Sequence, residues 1–303
     1  MIYYLMFDVG GTKIKAGILT ETGNLLDGQI SSFDSGANRP KEEIFNNFTE
    51  IIHILIDRIT DTGKQIGGIG MAFPGPFDYE NGVSRMAGLN KYDAIYGCDF
   101  KKELLEKLKR TKAVKWLKKD LSFLFVHDVE AFAIGESHYG AAAGSRRVMY
   151  LCIGTGAGSA FTEAKRVLKT RSDKIPENGW IYNTPFKGSI IDDYISSRGL
   201  QKLSGKYFNE PAEGIVLYDL AGRKEPRALE TFQEFGADLA EAVLPFLKSF
   251  SPDCLVLGGQ VSKSFGFFGT QLQDCCKELK IPVRLSKDTS VSILKGLYVQ
   301  LVK

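Results

Sequence analysis

Two stretches of this chain follow one plan. LMFDVGGTKIKAGIL (5–19) and VMYLCIGTGAGSAF (148–161) each run from apolar residues, through a glycine turn holding a threonine, into a second strand. β-Branched and aromatic residues on both sides of a glycine turn predict a hairpin. Their recurrence, first at Gly10 and again at Gly154, is a weak internal repeat and predicts two domains sharing one topology. The chain's 303 residues leave room for both, at roughly 150 residues each.

The surrounding pattern agrees. Residues 2–8, 13–20 and 25–33 read as a β-meander. Pro40 opens a helix from Lys41 to about Thr60, with Ile44, Phe48, Ile51, Ile52, Leu55 and Ile59 at helical spacing. A strand at 66–72 ends at Pro74-Gly75. An amphipathic helix near 99–110 follows, and the strand 121–127 runs into Asp128 and a helix to Tyr139. Residues 162–188 lack periodicity and read as a long functional loop or a small subdomain. Helices near 189–203, 226–250 and 291–301 and a buried strand at 254–259 complete the chain. No low-complexity linker separates the halves, so the domains are expected to pack around a shared cleft.

Composition excludes several classes of function. Lys+Arg number 39 against 36 Asp+Glu, a net charge of +3, which announces no nucleic-acid-binding face. No run of ~18 apolar residues exists to span a membrane, and the N-terminal MIYYLMFDVGG reads as a first strand and not a signal peptide. Five cysteines (98, 152, 254, 275 and 276), odd in number and without framework spacing, read as reduced structural thiols of a cytoplasmic protein. The 32 glycines exceed the usual ~7% and cluster at Gly10-Gly11, Gly67-Gly68-x-Gly70, Gly154-x-Gly156-x-Gly158 and Gly258-Gly259. Each cluster ends or follows a β-like run, which reads as a strand-to-turn junction of the kind that holds phosphates.

Asp8-Val9-Gly10-Gly11-Thr12-Lys13 is the strongest local signal. Two glycines let the backbone approach a polyphosphate, Thr12 and Lys13 add donors, and Asp8 is placed to hold a metal-bound water. A plain tight hairpin is the bland alternative. Gly154-Thr155-Gly156 is a second such turn, and Gly258-Gly259 would let an adenosine lie against the backbone. Asp128, at a strand end and helix start, is either an N-cap or a reactive carboxylate.

Together these segments resemble the ROK family of sugar kinases and repressors, within the actin-like ATPase superfamily, over nearly the whole chain. The resemblance rests on Asp8–Lys13, FPG (73–75), Gly88-Leu89-Asn90, His127-Asp128 with AIGE (133–136), Gly154–Gly158 and Leu257-Gly258-Gly259. It implies an α/β fold of two ribonuclease-H-like domains hinged around an ATP and sugar cleft: residues 1–127, with a C-terminal helix at 291–303 packing back, and residues 128–290. It implies a homodimeric, cytoplasmic, ATP- and magnesium-dependent sugar kinase acting on a hydroxyl, the 6-hydroxyl foremost, of a hexose or amino sugar. Asp128 would be the general base. Asp8, Gly10, Gly11, Thr12, Lys13, Gly154, Thr155, Gly156, Gly258 and Gly259 would bind the nucleotide and its metal. Asn90, His127, Glu177 and Asp192 would bind the sugar.

The chain also departs from the family pattern. His127 stands where the family has Asn. No cysteine lies between Cys152 and Cys254, so the zinc site of related members is not expected. Glu177-Asn178-Gly179-Trp180 sits at a Glu-x-x-His position, with Trp180 for His, and Asp192 stands for a Glu. Trp180 reads equally as a sugar-stacking face and a core residue. These departures keep open a non-catalytic, sugar-binding or regulatory protein. Family repressors carry a helix-turn-helix segment ahead of the first strand, which here starts at Ile2. A polyphosphate donor also stays open, with Lys13, Arg146, Arg147, Lys165 and Arg166 as its cations.

Overall fold

The computed structural model describes residues 1–303. They form two compact units, Met1–Gly135 with Ser290–Lys303, and Glu136–Thr289. In the first, β1 (Ile2–Val9), β2 (Lys13–Thr20) and β3 (Leu25–Asp34) make the antiparallel meander. Helix α1 (Lys41–Arg58) leads to β4 (Gln65–Phe73), the small ladder β5 (Phe77–Asp78) with β6 (Val83–Ser84), α2 (Phe100–Lys109), β7 (Leu117–His127) and α3 (Asp128–Tyr139), which belongs to this unit as far as Gly135. Strands β4 and β7 join in parallel, giving the order β3-β2-β1-β4-β7. Tyr3, Leu5, Phe7 and Val9 share one cluster with Ile44, Phe48, Ile51, Ile52 and Leu55, so the helical spacing seen in the sequence is the core-facing stripe of α1.

The second unit repeats this plan. It contains β8 (Arg147–Ile153), β9 (Ala157–Glu163), β10 (Arg166–Val167), β11 (Pro185–Phe186), β12 (Ser189–Ile190), α4 (Ser197–Ser204), α5 (Gly214–Gly222), α6 (Pro226–Phe250), β13 (Cys254–Gly258), α7 (Phe265–Glu278) and β14 (Val283–Leu285). Its sheet order is β10-β9-β8-β13-β14, with the first three strands antiparallel and the rest parallel. The internal repeat is thus a repeat of topology. The aperiodic stretch 162–188 is an ordered cover on β9. Its Ile175 and Ile181 are buried, and Ser159 ties it down by donating Oγ–H to Gly179 O (2.7 Å) and accepting the Ile181 N–H (2.9 Å).

Two expectations change here. Residues 189–203 are not one helix: β12 and a 3₁₀ turn precede α4, which starts where Ser196 Oγ accepts the Gly199 N–H (3.2 Å). The Gly67-Gly68-x-Gly70 cluster is not a strand-to-turn junction, because it lies inside β4. Its function is steric. Helix α8 (Thr289–Leu301) lies across the sheet face opposite α1. A Cβ built on Gly17 would stand 2.8 Å from Leu294, on Gly68 2.4 Å from Leu301, and on Gly70 3.3 Å from Leu297. The missing side chains are therefore seats for three leucines of α8. The α3–α8 crossing is as close: a Cβ on Gly135 would lie 1.8 Å from Ser292 O, and one on Gly296 1.8 Å from Ala131 O. No helix is long and apolar enough to cross a membrane.

The crossing can be tested by adding one methyl group. Helix propensity alone favours alanine over glycine at position 296 by about 1 kcal/mol. Crowding reverses that sign, and Gly296→Ala is expected to destabilise by about 1–3 kcal/mol net. Gly214→Ala, with nothing within 4 Å of its added Cβ, should stay within about 0.5 kcal/mol. Thermal or denaturant unfolding of the two variants checks the contrast.

Candidate functional site

In the first unit, register gathers the chemistry at one edge. Asp8 pairs with Ala72 across β1 and β4, and Phe73 pairs with His127 across β4 and β7. The C-terminal ends of three adjacent parallel strands therefore carry Asp8–Lys13, Phe73–Gly75 and His127-Asp128, the edge where open α/β sheets bind ligands. At 4.8 Å per strand and 3.3 Å per residue, Asp8 and Asp128 are roughly 12 Å apart along this edge.

The first glycine turn is fixed from several sides. The Gly10 N–H donates to Lys13 O (2.9 Å), and a Cβ on Gly10 would stand 2.8 Å from that oxygen, so the turn admits only glycine. Ser35 Oγ–H donates to Gly11 O (2.6 Å), the Ser35 N–H to Thr12 O (3.1 Å), and the buried Tyr92 hydroxyl to Gly10 O (3.1 Å). Thr12 and Lys13 are exposed at the tip. The partly buried Asp8 carboxylate accepts from Ser290 Oγ (2.8 Å), which itself accepts from Lys15 Nζ (2.9 Å). A single carboxylate beside a glycine turn would suit magnesium were phosphates held there, since that ion takes one or two carboxylates and draws its remaining ligands from phosphates and water.

Asp128 is the first residue of α3 and its side chain is 47% exposed. Its Oδ1 accepts the N–H of the next residue, Val129 (2.7 Å), and lies 3.0 Å from His127 Nδ1. An N-cap bonds the N–H two or three residues on, so the carboxylate is not spent as an ordinary cap. The His127 ring meets Tyr79 edge-on at 5.9 Å, and burial raises the Tyr79 hydroxyl's pKa. Asn90 is exposed, with a left-handed backbone (φ 54°), in a loop where Asp93 accepts the N–H groups of Leu89 and Asn90, both at 3.2 Å.

In the second unit, Gly154–Gly156 and Gly258-Gly259 come together. A Cβ on Gly259 (φ 87°) would stand 2.3 Å from Ile153 O, so this backbone packs directly on the strand end preceding Gly154. The Gly259 N–H donates to Thr289 Oγ1 (2.8 Å). The Gly154 turn closes through Gly154 N–H to Gly156 O (3.0 Å) and is held by the Ser197 N–H to Gly154 O (2.8 Å), leaving Thr155 exposed. Asp192 supports the same turn. Its Oδ1 accepts the Ala157 N–H (2.6 Å), its Oδ2 pairs with Arg198, and its side chain is only 14% exposed. Glu177 lies elsewhere, on the cover over β9, exposed, with Oε2 accepting the Arg171 N–H (3.2 Å). Trp180 is half-buried, 6.1 Å from the Tyr182 ring.

Four of the five cations grouped with the glycine turns stand away from the one in their own unit, Gly154–Gly156. Arg146 and Arg147 stand at the start of β8, and Lys165-Arg166 lie in the turn from β9 to β10, whereas Gly154–Gly156 joins the other ends of β8 and β9. Seven residues of strand put about 20 Å between the two places. Arg147 bonds Phe250 O and stacks on the Phe250 ring (4.5 Å). Only Lys13 remains at a glycine turn. Ser290, Tyr92, Ser35 and Thr289, which hold these turns, carry no signal in the sequence. Lys15 alone among the added residues had a signal, since a hairpin turning at Gly10–Thr12 sets it opposite Asp8.

Comparison with known proteins follows the same lines. A glucokinase of Thermotoga maritima is 24% identical over 278 residues, 85% of this chain and 81% of its own. An N-acetyl-D-glucosamine kinase of Photobacterium profundum is 25% identical over 278 residues, 86% of this chain and 84% of its own. A ROK family glucokinase from Streptomyces griseus, solved in complex with glucose and AMPPNP, superposes with a TM-score of 0.72 at 16% identity over 98% of each chain. The fold expected from the sequence, α/β with two ribonuclease-H-like units of the actin-like ATPase kind, is the fold of this structure. The ROK family model matches residues 4–282, and this chain belongs to that family.

Proposed function

We propose that this chain is a sugar kinase that transfers the terminal phosphoryl group of ATP to a hydroxyl, the 6-hydroxyl foremost, of a hexose or an N-acylated amino sugar. The observation that carries the reading is the shared edge of β1, β4 and β7, with the Asp8–Lys13 turn at one end and the exposed Asp128 carboxylate at the other. Relatives named glucokinase and N-acetyl-D-glucosamine kinase support the substrate class. A polyphosphate donor would need a row of cations, and four of the five candidates stand at the far end of the second sheet.

Bound with magnesium, ATP supplies the phosphoryl group, and the ion neutralises charge on its oxygens. Asp8 is assigned to the metal's water shell, with Ser290 and Lys15 orienting its carboxylate. The backbone and side chains of Gly10, Gly11, Thr12 and Lys13 are assigned to the phosphates, together with Gly154, Thr155 and Gly156. Gly258 and Gly259 are assigned to the adenosine. Asn90, His127 and Glu177 are assigned to the sugar hydroxyls. Asp128 Oδ2 takes the proton of the attacking hydroxyl while Oδ1 stays on the Val129 N–H. The new bond forms between hydroxyl oxygen and γ-phosphorus, and ADP leaves with the electron pair of the broken P–O bond. Asp192 is reassigned from the sugar to the Gly154 turn, because both of its oxygens serve that turn and Arg198.

The test is ADP release with Mg·ATP against glucose, mannose, fructose, galactose, N-acetylglucosamine and N-acetylmannosamine. One of these is expected to turn over, and Asp128→Asn should cut kcat by roughly 10²–10⁴ with sugar binding retained. A folded Asp128→Asn protein working near the wild-type rate would overturn the assignment. A wild-type protein that binds sugar and turns none over would favour the binding-protein alternative. Asp192→Ala, which frees the Ala157 N–H and Arg198, is expected to raise KM for ATP severalfold more than KM for the sugar, as initial-rate kinetics would show.

A further inference from the structure

Lys91 belongs to none of the motifs above, yet it lies against the first phosphate turn. A Cβ built on Gly11 would stand 3.4 Å from Lys91 Cδ and 3.7 Å from Lys91 Cβ, so the lysine stem runs across the face that Gly11 leaves bare. The ammonium is two bonds beyond that Cδ. Its backbone is held on both sides: Asn90 (φ 54°) and Tyr92 (φ 57°) are left-handed. Tyr92 donates its hydroxyl to Gly10 O (3.1 Å) and its N–H to Ala37 O (2.7 Å). Asp93, the nearest acid in sequence, is occupied by the Leu89 and Asn90 N–H groups, and Lys91 enters no ion pair. A half-buried lysine with no counter-ion, its stem laid over a glycine turn, is arranged to receive an anion from outside the chain.

We propose that Lys91 is a phosphoryl-binding residue whose ammonium meets the terminal phosphate of the donor, opposite Lys13. The proposal deepens the kinase reading and rests on it for the turn's ligand. Lys91 follows the residue assigned to the sugar and touches the turn assigned to the phosphates. That is where a phosphoryl group passing between the two would carry its charge, and a fixed cation there acts on the transition state. The rival role is purely steric, with the stem covering Gly11 and the charge in solvent.

Lys91→Met separates these roles, since methionine keeps an unbranched stem and loses the charge. Binding of AMPPNP and of ADP would be measured by calorimetry, and turnover alongside it, for wild type, Lys91→Met, Lys91→Gln and Lys91→Arg. Each fold would be verified by thermal unfolding. For the Met and Gln variants kcat/KM for ATP should fall roughly 10- to 100-fold and AMPPNP affinity should weaken, while ADP affinity and sugar KM stay within about twofold, and Arg should restore part of the loss. Undiminished AMPPNP affinity and turnover in Lys91→Met, or equal loss of ADP and AMPPNP, would overturn the proposal while leaving the kinase reading intact. The reverse outcome, a selective loss of AMPPNP binding with no turnover by the wild type, would support Lys91 as a phosphate ligand and overturn the kinase reading.

Discussion

The first unit depends on how closely α8 approaches the sheet and α3. Leu294, Leu297 and Leu301 occupy space that any side chain at Gly17, Gly70 or Gly68 would fill, and the α3–α8 crossing brings backbone oxygens to within 1.8 Å of where Cβ atoms would be. Such contacts are steep in energy, so they fix the helix both along and around its axis. The consequence reaches the site. Ser290, in the first turn of α8, donates to Asp8, so the packing that positions the helix also orients the carboxylate at the end of β1. Stability and candidate chemistry in this unit share one cause.

The second unit repeats the topology and uses different fastenings. Its glycine turn has no hydroxyl pair like that of Ser35 and Tyr92. A carboxylate from outside the sheet, Asp192, accepts the Ala157 N–H, and the start of α4 bonds Gly154 O. Gly259 then packs its backbone on Ile153, a contact that needs both the left-handed φ and the missing Cβ. Fold symmetry accordingly predicts where the turns lie but not which side chains hold them.

That difference marks what was legible in the sequence. Strands β1, β4, β8 and β13 were readable because their apolar runs end in glycine or proline, β2 because it alternates, and α1 because its stripe keeps helical spacing over four turns. Helix α5 was missed because GIVLYDLAG is apolar on every side, with Ile215, Val216 and Tyr218 exposed, and shows no amphipathic period. In α7, Gly266 and Gly269 disguise the first turns although Cys275-Cys276 reads as helical, and three residues of β14 are too few to carry a period. At the site, Asp8 and the glycine turn were visible because hairpin register is local. Ser290 and Tyr92 were not, being 282 and 82 residues from their partners. The arginines at 146 and 147, whose plain reading is a solvated face, show the converse. Nearness in sequence to Gly154 is a strand's length in space.

The same long-range logic accounts for the irregular stretch before α4, which holds its shape with no cysteine between Cys152 and Cys254. At the tip of the β11–β12 hairpin, Lys187 Nζ lies 2.7 Å from Asp238 Oδ1 and 2.9 Å from Glu241 Oε2, two carboxylates one turn apart on α6. Asp238 is nearly buried, and hydrogen bonds to both acids push the Lys187 pKa up. A lysine raised in this way contributes its full stabilisation below its unfolded pKa and loses it only as pH climbs through the folded value, so the clamp is intact across neutral pH. Tyr194 hydroxyl bonds Lys187 O, and two residues before Tyr194 the Asp192 carboxylate reaches the Gly154 turn. A continuous path of polar contacts thus runs from α6 through the hairpin to the turn, and it gives an otherwise aperiodic segment a defined position over the sheet.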